Sequence, residues 1–446
     1  MSTTMERFRA QRERKIDIGP RRLTRFDMNP MPLTSFVPVA PDSDFPLENL
    51  PYGVFRPRAG GPARIGVAIG EYVLDLAVID EAGLLSATPV GGRGMFAQDS
   101  LNAFMAAGPT AWQAVRSVLQ RLLTADEPTL RDNQVLRDAA LLPQHTIDLL
   151  LPAHIGDYTD FYSSLYHASN VGKMLRPDSP PLFPNWRHLP VAYHGRASTV
   201  VVSGTPIHRP YGQTKPADSP APVYGPTRAL DFELELGMFI GPGNDLGSPI
   251  PIDQAEDHIF GFVLVNDWSA RDIQGWEYQP LGPFLAKNFA TSISPWVVPL
   301  AALEPFRCQG EPQDPPPLPY LQPVRPGHFA ITLEVWLNDT RICQSDSRYL
   351  YWSCAQQIAH HTVNGCRLRP GDLLASGTIS GPDKHTRGCL LELTWRGSEP
   401  LTLRDGSQRR WLEDGDTVTM RGWAQGDGYR IGFGAVSGTI RRATLE

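Results

Sequence analysis

Acidic and apolar residues alternate through Leu230-Asp231-Phe232-Glu233-Leu234-Glu235-Leu236, with the period of two that a β-strand imposes on its side chains. On such a strand Asp231, Glu233 and Glu235 share one face. Neighbouring carboxylates there stand about 6.5–7 Å apart, and like charges converging on one site destabilise a sheet unless something positive lies between them. Calcium and magnesium prefer carboxylate oxygens, so the stretch reads as half of a metal site; the plain alternative is a strand face left in water.

Two further segments carry groups of the same kind. Ile259-Phe260-Gly261-Phe262-Val263-Leu264-Val265 is a continuous apolar run that ends in Asn266-Asp267, the pattern of a strand buried on both faces with an acid at its end. Beyond it, Trp268 to Tyr278 opens as a helical turn with Ser269 near its N-cap, which sets Arg271, Gln274 and Tyr278 on one side. A cation, an amide and a phenol so arranged can hold an oxygen-rich anion, whereas the plain alternative is an amphipathic surface turn. The third segment, Asp157 to His167, crowds aromatic rings, hydroxyls and acids together. If Asp160 joins the acids, His167 lies two helical turns further along on the same side, within reach as a base. A lone histidine is more often a satisfied packing residue, so this segment does not decide the matter by itself.

These residues need a scaffold. The 446 residues suffice for two domains with sizeable cores, and 43 prolines with 40 glycines point to a turn-rich, β-dominated fold. From Asn49 to about Leu85 the chain reads as short strands broken by glycine and proline, and Leu101 to Leu123 shows helical spacing. Tyr351 to Asn364 is a plausible helix closed by Gly365, with His360 and His361 capping or packing because adjacent helical residues point apart. Leu368-Arg369-Pro370-Gly371-Asp372 is a tight turn before a strand, and Gly241-Pro242-Gly243-Asn244 is a turn without the helix and lysine of a phosphate loop.

A net charge of −6 gives no electrostatic reason to expect nucleic acid or an anionic membrane as partner. No apolar run reaches the eighteen or so residues of a membrane span, and the N-terminus has no apolar signal-peptide core. Cys308, Cys343, Cys354, Cys366 and Cys389 are odd in number and lack C-x-x-C spacing, so they read as reduced thiols and not as disulfides or a zinc site. Met1 to Phe26 holds eight Lys or Arg against three acids. Residues 1–34 are therefore expected to be a disordered, non-essential basic extension, or a start assigned upstream of Met28 or Met31.

The segments already named, together with Pro184-Asn185-Trp186, Tyr193-His194-Gly195-Arg196-Ala197-Ser198 and Leu373-Leu374-Ala375-Ser376-Gly377-Thr378-Ile379-Ser380-Gly381-Pro382, carry a resemblance. From about Ser35 to near its end the chain resembles the fumarylacetoacetate hydrolase family. The resemblance implies a small SH3-like barrel over residues 35–150, and over residues 151–446 a catalytic domain built as a mixed β-roll with few helices. It implies hydrolysis of the carbon–carbon bond of 4-fumarylacetoacetate to fumarate and acetoacetate, the final step of tyrosine and phenylalanine breakdown, by a cytoplasmic homodimer.

Residue by residue, the resemblance implies Asp160, Glu233, Glu235 and Asp267 as ligands of calcium or magnesium, and leaves Asp231 outside that set. It implies His167 as the base that activates water, oriented by Glu392, with Arg271, Gln274 and Lys287 stabilising the oxyanion. On its own segment, Phe284-Leu285-Ala286-Lys287-Asn288-Phe289, Lys287 reads equally well as a snorkelling surface lysine. A second, structural magnesium is implied near Asp267, Lys287 and Thr291. Tyr162, Arg176, Gln274, Tyr278 and Thr378 are implied substrate contacts, with Tyr193 a further pocket residue and Arg176 suited to a carboxylate. Lys173 and Asn288 depart from the residues expected beside the site. Two rival readings are a hydrolase or decarboxylase of smaller acylpyruvate-type acids and a non-catalytic homodimeric binding protein.

Overall fold

The computed structural model describes residues 33–444. The segment read as a basic extension lies outside the described residues except for its last two positions. The strands expected over residues 49–85 are β1 (Tyr52–Pro57), β2 (Arg64–Ile69) and β3 (Tyr72–Asp75). The same stretch also holds a helix that was not expected, α1 (Leu76–Glu81), started by Asp75, whose carboxylate accepts from the main-chain N–H of Ala77 and Val78. A helix of fewer than two turns offers too few apolar positions for its period to stand out from strand alternation.

The helical spacing over Leu101 to Leu123 resolves into α2 (Asn102–Ala106) and α3 (Gly108–Leu123), which part where Gly108 takes φ +81. Helix α3 buries Ala111, Val115, Leu119 and Leu122 along one face. With β4 (Leu141–Pro143) and β5 (Ile147–Leu149) the N-terminal strands form an antiparallel half-barrel in the order β4-β3-β2-β1-β5.

The remaining chain runs through β6 (Tyr158–Phe161), α4 (Leu165–Leu175), β7 (Ala192–His194), β8 (Val200–Val202), β9 (Ile207–His208), β10 (Leu230–Asp231), β11 (Leu234–Ile240) and β12 (Ile259–Asp267). It continues through α5 (Arg271–Glu277), β13 (Thr291–Ile293), β14 (Thr332–Leu337), β15 (Thr340–Asp346), α6 (Cys354–Thr362), β16 (Leu373–Ala375), α7 (Leu390–Leu393), β17 (Thr417–Gln425) and β18 (Arg430–Arg441). A large mixed sheet takes the order β7-β6-β16-β11-β12-β13-β8, and a second sheet the order β15-β14-β17-β18-β9. The β-dominated fold expected from the glycine and proline content and from the resemblance is the one observed.

Strand β12 is buried at all nine positions. Phe262 and Leu264 join Leu333, Val335, Val418 and Met420 of the second sheet in one apolar core, while Val263 and Val265 join Tyr52, Phe104 and Leu373 in another. Burial on both faces is the physical reason its sequence is continuously apolar instead of alternating. Its two main-sheet neighbours and the strand beyond fix the site. β11 is antiparallel to both β12 and β16, and β16 is parallel to β6. The C-terminal ends of β6, β12 and β16 and the start of β11 therefore meet at one edge of the sheet.

Four local expectations need correction. Leu230 to Leu236 is not one strand, because β10 ends at Asp231 and β11 begins at Leu234. Asp160 and His167 do not share a helix: Asp160 belongs to β6 and His167 to α4, so two helical turns do not separate them. Ser269 lies in a strand pair opposite Asp231 instead of capping a helix; α5 begins at Arg271 with Ala270 before it and no side-chain cap. The expected helix over Tyr351 to Asn364 is the shorter α6, whose Ser353 and Gln356 form a reciprocal capping box.

Candidate active site

Helix α4 starts on Ser164, whose Oγ accepts from the main-chain N–H of His167 at 3.3 Å. That cap places His167 in the first turn, where its Nδ1–H donates to Glu392 Oε2 at 2.5 Å; the pair is buried. Glu392 also accepts from Asn170 Nδ2 at 2.8 Å, Ser380 Oγ at 2.7 Å and Cys389 Sγ at 3.2 Å. Burial alone would raise the carboxyl, but His167 and these hydrogen bonds outweigh it and hold Glu392 down at about 2. A carboxylate facing Nδ1 fixes the proton there and leaves Nε2 as the basic nitrogen. The Tyr162 ring meets the imidazole edge to face at 5.2 Å between centroids.

Asp160, Glu233, Glu235 and Asp267 converge where the sheet topology brings their strand ends together. One carboxylate oxygen from each lies within 4.8 Å of all the others, and all four residues are buried. The alternative of a solvated strand face is excluded for Glu233 and Glu235. Glu233 accepts from Lys287 Nζ at 2.6 Å and pairs with Arg271 Nη1 at 2.6 Å. Asp267 accepts from Lys287 Nζ at 2.7 Å, Tyr193 Oη at 3.0 Å and Thr291 Oγ1 at 2.9 Å. Lys287 is thus a buried bridge and no snorkelling side chain. Against burial, Lys287 and Arg271, with a further contribution from His167, hold Glu233 below the usual carboxylate range.

Asp160 and Glu235 are different. Asp160 Oδ1 and both oxygens of Glu235 are buried without any partner. Burial and then the charge of Asp267 push Asp160 well up, and burial and then Asp160 do the same to Glu235. Leaving two charges so exposed to one another in a dry site is costly. A divalent cation matches their two charges and supplies the partner their orphaned oxygens lack, so the residues present fit a hard-metal site made of oxygen donors.

Arg271 and Gln274 face the same way on α5, with Arg271 Nη1 donating to Gln274 Oε1 at 3.1 Å. Arg271 Nη2 is buried without a partner, and so is Thr378 Oγ1 just beyond β16. Tyr278 follows α5 and is half-buried. Arg176, at the C-terminal end of α4, donates to the Pro181 carbonyl at 2.9 Å and lies 4.1 Å over the Phe183 ring, and none of these partners belongs to the acid cluster. His360 and His361 pack, bonding to Tyr320 Oη at 3.0 Å and Thr159 Oγ1 at 2.9 Å.

Asn170, Ser380 and Cys389 were not anticipated as partners of the dyad. Asn170 stands at i+3 from His167, a spacing that puts both on one helical face and was open to inspection. Ser380 and Cys389 carry no local signal, because only the tertiary fold brings them to Glu392. All five cysteines are free, as expected. His167, Cys389 and Glu392 do lie within ligand distance of one another. With Glu392 already accepting from four donors, however, they form a hydrogen-bonded unit.

Residues 158–441 match the family described as fumarylacetoacetate hydrolase, C-terminal, and residues 48–152 match fumarylacetoacetase, N-terminal. The chain is 56% identical over 414 residues to the fumarylacetoacetase of Bos taurus, covering 91% of this chain and 98% of that one. It is 56% identical over 419 residues to that of Homo sapiens, covering 92% and 99%, and 53% identical over 414 residues to that of Arabidopsis thaliana, covering 92% and 98%. Among solved structures, a fumarylacetoacetate hydrolase from Exiguobacterium antarcticum superposes with a TM-score of 0.51 at 17% identity, covering 88% of this chain and 99% of that one, a likeness of fold alone. The half-barrel, the curled mixed sheet and these matches over nearly all the described residues agree, and the chain belongs to the fumarylacetoacetate hydrolase family.

Proposed function

We propose that the chain is a hydrolase that cleaves the carbon–carbon bond of 4-fumarylacetoacetate to fumarate and acetoacetate, the last step of tyrosine and phenylalanine breakdown. The observation that carries the mechanism is the buried His167–Glu392 pair beside a carboxylate cluster and an arginine whose Nη2 amino group is left without a partner. His167 Nε2 removes a proton from the attacking water, and Glu392 steadies the imidazolium that forms. Attack at the ketone builds a negative oxygen. Arg271 Nη2 is the free donor for it, Gln274 assists, and Lys287 has a third N–H beyond the two given to Glu233 and Asp267. The proton then held on Nε2 is available to the departing carbon as the bond breaks.

Asp160, Glu233, Glu235 and Asp267 would hold calcium or magnesium, which when bound supplies Lewis-acid stabilisation of negative charge on the diketone oxygens. A second, structural magnesium would be held near Asp267, Lys287 and Thr291, with Lys287 and Thr291 offering main-chain carbonyl oxygens and not their side chains, which donate to Asp267. Tyr162, Tyr193, Tyr278 and Thr378 line the substrate, and Arg176 pairs with one of its carboxylates once it is within reach. We read residues 35–150 and 151–446 as the two domains, and the protein as a cytoplasmic homodimer.

The test is spectrophotometric: the purified protein with calcium or magnesium should consume fumarylacetoacetate and leave fumarylpyruvate largely untouched. The reverse preference would assign it to the acylpyruvate hydrolases, and inertness toward both would make it a binding protein.

A further inference from the structure

Asp231 shares the parity of Glu233 and Glu235 in sequence, yet its carboxylate does something else. It is fully buried, and its oxygens accept four hydrogen bonds. Oδ1 takes the main-chain N–H of Leu390 at 2.7 Å and of Phe232 at 2.8 Å. Oδ2 takes Arg271 Nε at 2.8 Å and the main-chain N–H of Leu391 at 3.0 Å. A carboxylate offers about four lone-pair sites, so Asp231 has no capacity left for a metal, in contrast to Glu235, both of whose oxygens are unpartnered.

Both elements it grips are catalytic carriers. Leu390 and Leu391 open α7, which bears Glu392, and Glu392 orients His167. Arg271 is pinned at Nε by Asp231 and at Nη1 by Glu233 and Gln274, which leaves Nη2 as its unpartnered donor. A planar guanidinium held at two points has its third nitrogen aimed by geometry. We propose that Asp231 is a positioning residue that locks the Arg271 guanidinium onto the Glu392-bearing turn, so that the oxyanion donor and the base–orienter pair move as one unit. This rests on the hydrolase reading above.

Asp231→Asn tests it. The amide keeps an acceptor toward Leu390 and Phe232 but turns N–H groups toward Arg271 Nε and Leu391. The folded, metal-loaded variant should keep its metal content and KM while kcat falls by roughly 10–100-fold, because an aimed donor acts in the transition state. In an Arg271→Met background the same change should cost less than about threefold, since groups acting as a unit are not additive. A kcat within about twofold of the parent, or an equal loss with and without Arg271, overturns the proposal. If D231N alone does not fold, the comparison of D231N/R271M with R271M decides; failure of both to fold would make Asp231 a folding determinant and also overturn it. An inactive parent would instead defeat the hydrolase reading.

Discussion

Removing the metal should leave a protein whose stability depends on pH in an inverted way. In the metal-free chain Asp160 and Glu235 are raised, by burial first and then by the other acids, above the ordinary 3.8 and 4.5. A carboxyl raised by folding binds more protons in the native than in the unfolded state, so stability falls as pH rises from the unfolded value toward the folded one. Each such group contributes a slope of about 1.4 kcal/mol per pH unit while it titrates in one state only. The repulsion behind it is large: oxygens within 4.8 Å of one another repel by about 3.5 kcal/mol per ionised pair at an effective dielectric of 20. Melting curves at a series of pH values from mildly acid to neutral, with chelator and with calcium or magnesium, isolate the cluster by difference. The chelated protein should lose stability toward neutral pH, and the gap to the loaded protein should widen, because metal binds the ionised ligands. Glu235→Gln removes one charge, so its chelated form should melt above the chelated parent while binding metal more weakly. A gap that does not change with pH, together with a Glu235→Gln variant melting below the chelated parent, would refute the reasoning.

Other predictions follow from the same geometry. His167→Ala should keep metal content and fold but lose turnover by about 10²–10⁴, and Glu392→Gln should act in the same direction, with the double variant little worse than His167→Ala; additive losses in steady-state kinetics would separate the pair. Because Glu392 is held at about 2, below its ordinary 4.5, its stabilising contribution is present above pH 4.5 and is lost as pH falls toward 2. Asn170→Ala, which removes a hydrogen bond to that charge, should cost about 1.5–3 kcal/mol in denaturant titrations. Gly172→Ala would drive a Cβ to 1.8 Å from the Pro181 carbonyl oxygen, so the loop carrying Arg176 must shift. A lowered melting temperature and a raised KM are expected, and an unchanged KM would argue against Arg176 as a substrate contact.

The sequence carried the site unevenly. Strand β12 was legible because burial on both faces leaves an uninterrupted apolar run with Asp267 at its end. Glu233 and Glu235 stood out as an alternation that no core would tolerate without a partner. Asp231 shows the limit of the same argument, since the strand breaks after it and its carboxylate turns to Arg271 and α7. His167 and Glu392 are 225 positions apart, so their pairing is a tertiary fact that no local period encodes. Family resemblance implies that pairing and marks Lys287 as an oxyanion donor, whereas the Lys287 bridge between Glu233 and Asp267 is visible only in the structure. Asp160 and His167 fall on one helical period only if that period is carried across a strand, a cap and a helix, which have different repeats.

The most direct test of the whole account follows acetoacetate and fumarate release from fumarylacetoacetate by the purified protein before chelation, after it, and after calcium or magnesium is restored. The two products are expected in equal amounts, with loss of turnover on chelation and recovery on reconstitution. Full turnover in exhaustively chelated protein, with no divalent ion detected by elemental measurement, would contradict it.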